Sequence, residues 1–247
     1  MRHLIPVLFA GLLASAAAEA ASPIGRVTEV SGAAMAGPDR VASGYALQPG
    51  ARLLADRGAE VTLRMADDSL VFLQGGSDLL IEKFAFTPLD GRPAAASSSY
   101  ILYQGTARLV PGALARKSPN TVTVNTVMGD LVASASDFTA GICGVGCADA
   151  KGLYIHVKSG EVAFTGAGSA TIISAGQTAF IPEGTAVVEV VARTPVFMVA
   201  LVDNSLTASL DFREPDTLHL RLDAQDFLAG VIDPPASPSQ PVASIAR

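Results

Sequence analysis
Cys143 and Cys147 are the two cysteines of the chain, and they bracket Gly144-Val145-Gly146. In an oxidising compartment so close a pair closes into a disulfide. Closing so small a ring is worth about 2 kcal/mol in chain entropy, so the bridge would tie a loop without holding a fold together. The same spacing could form half of a metal site, but that needs two more ligands, and beyond the first residues only His156 and His219 offer imidazoles. The disulfide is the reading carried forward. Asp67 and Asp68 are adjacent acids in Ala66-Asp67-Asp68-Ser69. Neighbours on a tight turn point apart, so they suit turn formation better than paired acid–base work across a substrate. His156 and His219 each fall on the polar side of an alternating segment and read as exposed surface histidines. No serine-hydrolase elbow, zinc-protease helix, P-loop or calcium loop occurs. The chain therefore predicts no catalytic residues, no metal ligands and no cofactor.

The elements that would carry these residues are strands. Val61, Leu63 and Met65 share one face, with Thr62 and Arg64 on the other. Leu70-Val71-Phe72-Leu73 is unbroken and apolar, as in a strand covered on both sides. Strands are also expected over 101–109, 121–126, 131–138 and 153–158. Gly160 is expected to turn the chain into 161–164, and shorter strands follow at 170–174, 177–181 and 186–191. Short strands with frequent turns predict an all-β fold, either a β-solenoid-like or a sandwich-like stack, with a short irregular C-terminal region. Residues 195–203 fit one short helix or another strand, and 205–222 is ambiguous. The Pro-, Gly- and Ala-rich stretch 87–99 reads as a flexible excursion, and 233–247 as a disordered tail. Gly50-Ala51-Arg52-Leu53 echoes Gly105-Thr106-Ala107-Arg108-Leu109, a hint of similar rungs.

The N-terminus has the three parts of a secretory signal peptide. Met1-Arg2-His3 is basic, an apolar run follows, and Ala18-Glu19-Ala20 forms a cleavage site before Ala21. The apolar run is too short to span a bilayer, and no later segment reads as transmembrane. The expected organisation is thus a signal peptide at 1–20, a β domain at 21–192, a C-terminal extension at 193–232 and the tail at 233–247. The formal net charge is −6, from 17 basic and 23 acidic residues, with no basic run. That balance excludes a nucleic-acid footprint. There is no Trp and there are 4 Tyr, so sugar-stacking platforms are few.

Over residues 25–182 the order of these segments resembles the FecR domain family. Gly25-Arg26-Val27 with Val30-Ser31-Gly32 is similar to its opening strand, and Leu47-Gln48-Pro49-Gly50 with Leu53 to a later step. Residues 58–73 match "G-A-x-x-x-L-x-F-x-D-G-S-x-L-x-L", with Asp68 where Gly is usual. Gly105 with Ala107-Arg108, and then Ala175-Gly176-Gln177, extend the likeness. The family's "V-R-G-T-x-F" is missing, since residues 132–138 read Val-Ala-Ser-Ala-Ser-Asp-Phe. Membrane-spanning members of the family act as anti-sigma regulators through a cytoplasmic segment and one membrane helix. This chain has neither and fits the stand-alone exported kind. The resemblance implies a β-solenoid-like domain, periplasmic or secreted, that works by touching an envelope protein partner. A cell-wall or polysaccharide-binding role is the alternative.

Overall fold
The computed structural model describes residues 22–86, 97–112, 115–116, 122–166 and 168–202. The proposed signal peptide with its Ala20–Ala21 junction, most of the 87–99 excursion, His219 and the segment from 203 onward lie outside them. Among the described residues fifteen strands form one continuous, unclosed sheet. In chain order they are β1 (Gly25–Ser31), β2 (Ala34–Ala36), β3 (Asp39–Arg40), β4 (Ala46–Leu47), β5 (Arg52–Ala55), β6 (Glu60–Met65), β7 (Leu70–Gln74) and β8 (Asp78–Ala85). They continue as β9 (Ser97–Val110), β10 (Val122–Thr126), β11 (Gly129–Cys143), β12 (Gly152–Gly166), β13 (Ser169–Ser174), β14 (Thr178–Pro182) and β15 (Glu189–Val191). One helix, α1 (Val196–Val202), follows. The all-β class stands.

The pairings divide the sheet into two layers joined by three long strands. The first halves of β9 and β11 and the second half of β12 pair with β8, β10 and β13, while their other halves pair with one another and with β7 and β14. Layer one thus runs β3-β2-β5-β8-β9-β10-β11-β12-β13. Layer two runs β4-β1-β6-β7-β9-β11-β12-β14-β15. Alternate residues turn inward. Leu53, Leu79, Leu102, Leu131 and Phe164 from layer one meet Val27, Leu63, Leu73, Phe138 and Ile155 from layer two in one core.

Three expectations need correcting. Gly160 does not turn the chain back, because β12 runs on through it, and β11 runs from Gly129 to Cys143, beyond the 131–138 expected. A glycine that ends a strand and one that bends a strand from one layer into the next look alike in a sequence. Ser97–Ser99, assigned to the excursion, are the first residues of β9. The unbroken run Leu70–Leu73 is buried throughout: Val71 and Leu73 enter the core, and Leu70 and Phe72 lie under Leu201 of α1.

The echo between Gly50–Leu53 and Gly105–Leu109 marks a true internal repeat. Arg52 lies opposite Leu80 and Arg108 opposite Thr139. Asp78 lies opposite Gln104 and Asp137 opposite Ser159. In each copy a serine before the aspartate accepts the backbone N–H of the residue after the bend glycine: Ser77 from Thr106 at 2.9 Å, and Ser136 from Glu161 at 2.9 Å. In each copy the residue before that serine has positive φ, +83° at Gly76 and +49° at Ala135. A side chain in the left-handed region costs about 1–2 kcal/mol, and glycine recovers most of it at some cost in unfolded-state entropy. Ala135→Gly is therefore expected to stabilise the fold by about 0.5–1 kcal/mol, read as a rise in urea midpoint at unchanged slope. A lowered midpoint would contradict the equivalence of the two copies.

Candidate functional site
A groove of about 740 Å³ opens where two strand bends meet the cysteine loop. Its walls are the β7–β8 turn (Gln74, Gly75, Gly76), the bend of β9 (Gln104 to Thr106), the end of β11 at Ile142, the loop 144–147, Phe197 of α1, and Arg57. Each wall has a local cause. The turn after Gln74 needs positive φ at Gly76, and the bend of β9 brings Gly105 so close to Ser77 that no side chain fits between them. The cysteine loop is bonded across its neck, with the two sulfurs 2.04 Å apart and Cα atoms 5.5 Å apart. The Cys147 amide also donates to the Gly144 carbonyl at 3.3 Å. The loop holds Val145 almost wholly in solvent, 97% exposed, at the rim.

The lining mixes polar and apolar surface and is nearly uncharged, since Arg57 is its one ionisable residue. Two side-chain amides and several glycine backbones supply donors and acceptors, and Ile142, Val145 and Phe197 supply apolar contact. Gln74 Oε1 is buried and has no hydrogen-bond partner among the described residues. An unmade bond of this kind costs about 1–3 kcal/mol, and the oxygen is closed off from solvent, so the groove offers a ligand the other amide atoms and the glycine backbone.

The residues singled out from the sequence do not converge here, apart from Cys143 and Cys147, which anchor the rim. Asp67 is buried in its turn, where Oδ1 accepts the Ser69 amide at 3.0 Å and the Ser69 hydroxyl at 2.6 Å. Asp68 sits at φ +62° and pairs with Arg64 at 2.8 Å on the surface. His156 is half-buried, unlike the exposed histidine expected, and its Nδ1 lies 2.9 Å from Thr178 Oγ1. Thr178 of β14, itself 3.4 Å from Thr194 Oγ1, lies beside it; elsewhere on that face α1 buries Met198 against Tyr154 and Phe180. Tyr154 stacks on Phe180 at 4.5 Å between ring centres, and burial together with the charge of Asp149 pushes its hydroxyl pKa up.

A second polar cluster lies inside the sheet. Tyr100 is wholly buried beside Asp67, Ser69 and Ser98, against a cavity of about 20 Å³. That is room for one water. Burial and the negative charge of Asp67 raise the Tyr100 pKa far above its ordinary 10.0, against the lowering effect of hydrogen bonds to Ser98 and Ser69. A phenol so held keeps its proton and serves as a donor within the core. Among the described residues no three of His, Cys, Asp and Glu gather as metal ligands, and no helix is long and apolar enough to cross a membrane.

Sequence reasoning missed Gln74, Gln104 and Arg57. Their only signal was adjacency to glycines at predicted turns, which many surface residues share.

No family model matches the chain, so the FecR-like reading rests on the order of its motifs. No curated protein matches it either. Similar solved structures include two crystal structures described as a "putative anti-sigma factor" from Parabacteroides distasonis ATCC 8503. Each has a TM-score of 0.43 at 10% identity, covering 61% of this chain and 62% of that one. The chain thus spans less than two thirds of those proteins, and at that identity no residue role carries across.

Proposed function
We propose that the protein is an exported, FecR-like binding module that holds an extended segment of an envelope protein in the groove beside Cys143–Cys147. The observation that carries this reading is an open groove lined by two side-chain amides and glycine backbone, with the exposed Val145 at its rim. Peptide groups offer the matching alternation of N–H and C=O. Val145 and Phe197 suit apolar side chains of the segment, and Arg57 favours a neutral or acidic one. A polysaccharide would ask for aromatic platforms, and the groove has one aromatic residue, Phe197.

A photo-crosslinking residue at Val145, in the full chain expressed in its own envelope, is expected to capture a discrete protein. The same residue at Val127, exposed on the β10–β11 turn, is expected to capture none. Capture of polysaccharide, or equal capture at both positions, overturns the reading. Export is checked separately by mass: the mature chain is expected to begin at Ala21, and an intact Met1 would refute it. Replacing both cysteines by serine is expected to lower stability by about 2 kcal/mol. It should leave the far-ultraviolet spectrum unchanged while weakening capture at Val145 several-fold, since the loop that presents the rim is then loose.

A further inference from the structure
The two copies of the internal repeat treat one arginine corner differently. In the second copy, Nε and Nη2 of Arg108 grip Asp137 at 2.8 and 2.7 Å, and Nη1 donates to the Leu201 carbonyl, in the last turn of α1, at 3.1 Å. In the first copy, Nε and Nη2 of Arg52 grip Asp78 at 2.8 and 2.6 Å in the same bidentate fashion. Nη1 of Arg52 has no acceptor among the described residues, and its side chain is 50% exposed, against 2% for Arg108. What differs is the helix.

The surface around Arg52 is apolar where a helix would lie. Leu54 and Tyr103 are each 38% exposed, and the Arg52 guanidinium stacks over the Tyr103 ring at 4.5 Å. Met35, Leu80 and Ile101 are half-buried beside them on the outer side of layer one. In the second copy Leu54 corresponds to Val110 and Met35 to Leu70, both packed in the cluster beneath Leu201. The same fold positions that α1 covers on layer two are thus apolar and open on layer one. A helix C-terminus carries unsatisfied carbonyls and partial negative charge, which a guanidinium N–H satisfies.

We propose that this face seats a helix of a protein partner, with its apolar stripe on Leu54, Leu80, Ile101 and Tyr103 and a last-turn carbonyl on Nη1 of Arg52, as α1 sits on Arg108. The inference shares with the groove reading only the premise of a protein partner, and it uses a different surface. The test is a titration of the ¹⁵N-labelled full chain with a designed, uncharged helix of Leu, Ala and Gln, its leucines on one stripe. The expected result is saturable movement of the Leu54, Leu80, Ile101 and Tyr103 amides and of the Arg52 side-chain N–H. Affinity is expected to fall at least tenfold for Arg52→Gln, for Leu54→Lys and for an isomeric peptide with scattered leucines, and to stay unchanged for Val145→Asp. Leu54→Lys keeps the test decisive should Arg52→Gln not fold. Absence of saturable shifts, shifts centred on the groove, or equal affinity in the Arg52 and Leu54 variants overturns the proposal. So does contact of Tyr103 with this chain's own residues beyond 202, or with a second copy.

Discussion

Arg108→Met is expected to lower stability by about 3–5 kcal/mol, the loss typical of stranding one member of a buried ion pair. Arg108 is 1% exposed, and its guanidinium makes two bonds to Asp137, itself 9% exposed. Without it the carboxylate has no compensating charge, and Leu201 loses the donor to its carbonyl. Methionine fills the volume above Phe72, so the loss reports the stranded charge and not a cavity. Two comparisons isolate the cause. Arg108→Met with Asp137→Leu removes both charges and is expected to recover most of the loss, because a buried pair is often no better than an apolar one of equal volume. Arg52→Met, at a half-exposed corner, is expected to cost much less. Urea unfolding of the full chain reads all three. An Arg108→Met loss below about 1 kcal/mol, or a double variant as unstable as the single one, would show that the pair does not hold α1 down.

This pair also shows where the sequence stops being legible. Alternation at Val61, Leu63 and Met65, and the apolar run at Leu70–Leu73, announce strands, because burial against a flat core imposes a period of two or none. The echo around Arg52 and Arg108 was visible too. Its chemistry was not, since each arginine finds its aspartate 26 or 29 residues downstream, on another strand. Nothing local distinguishes Asp137 from a surface acid. The long strand β12 was read as broken for a related reason: the bend between layers at Gly160 uses the same residue as a turn. His156 was read as exposed because its cover, Thr178 on β14, comes from another strand. The groove was the least legible part. It is made of turn backbone and uncharged amides, which carry no periodicity, and only its disulfide rim had a signature in the sequence.

The bend glycines give the other large effect, and it should be graded by what surrounds each one. Gly50, Gly160 and Gly105 all have φ close to +80°, so alanine pays a similar left-handed cost at each, about 1–2 kcal/mol. At Gly50 a new Cβ meets nothing within 4 Å, and Gly50→Ala is expected to cost about 1 kcal/mol. At Gly160 the Cβ would lie 2.5 Å from Ser136 Oγ and 2.9 Å from its Cα. The hydroxyl can move only by giving up the Glu161 amide, so the expected loss is about 3 kcal/mol. At Gly105 the obstruction is backbone: the Cβ would overlap Ser77 Cα and stand 2.8 Å from the Gly76 carbonyl oxygen. Relief requires moving β8 away from β9, which carries Leu79 and Leu102 out of register in the core. Gly105→Ala is therefore expected to cost about 4 kcal/mol or more and to disturb the groove wall at Gln74 even where the chain still folds. Equal losses at the three positions would mean that backbone conformation alone sets the cost. The close crossing of layers at Gly105 would then not be what forces the long strand to bend.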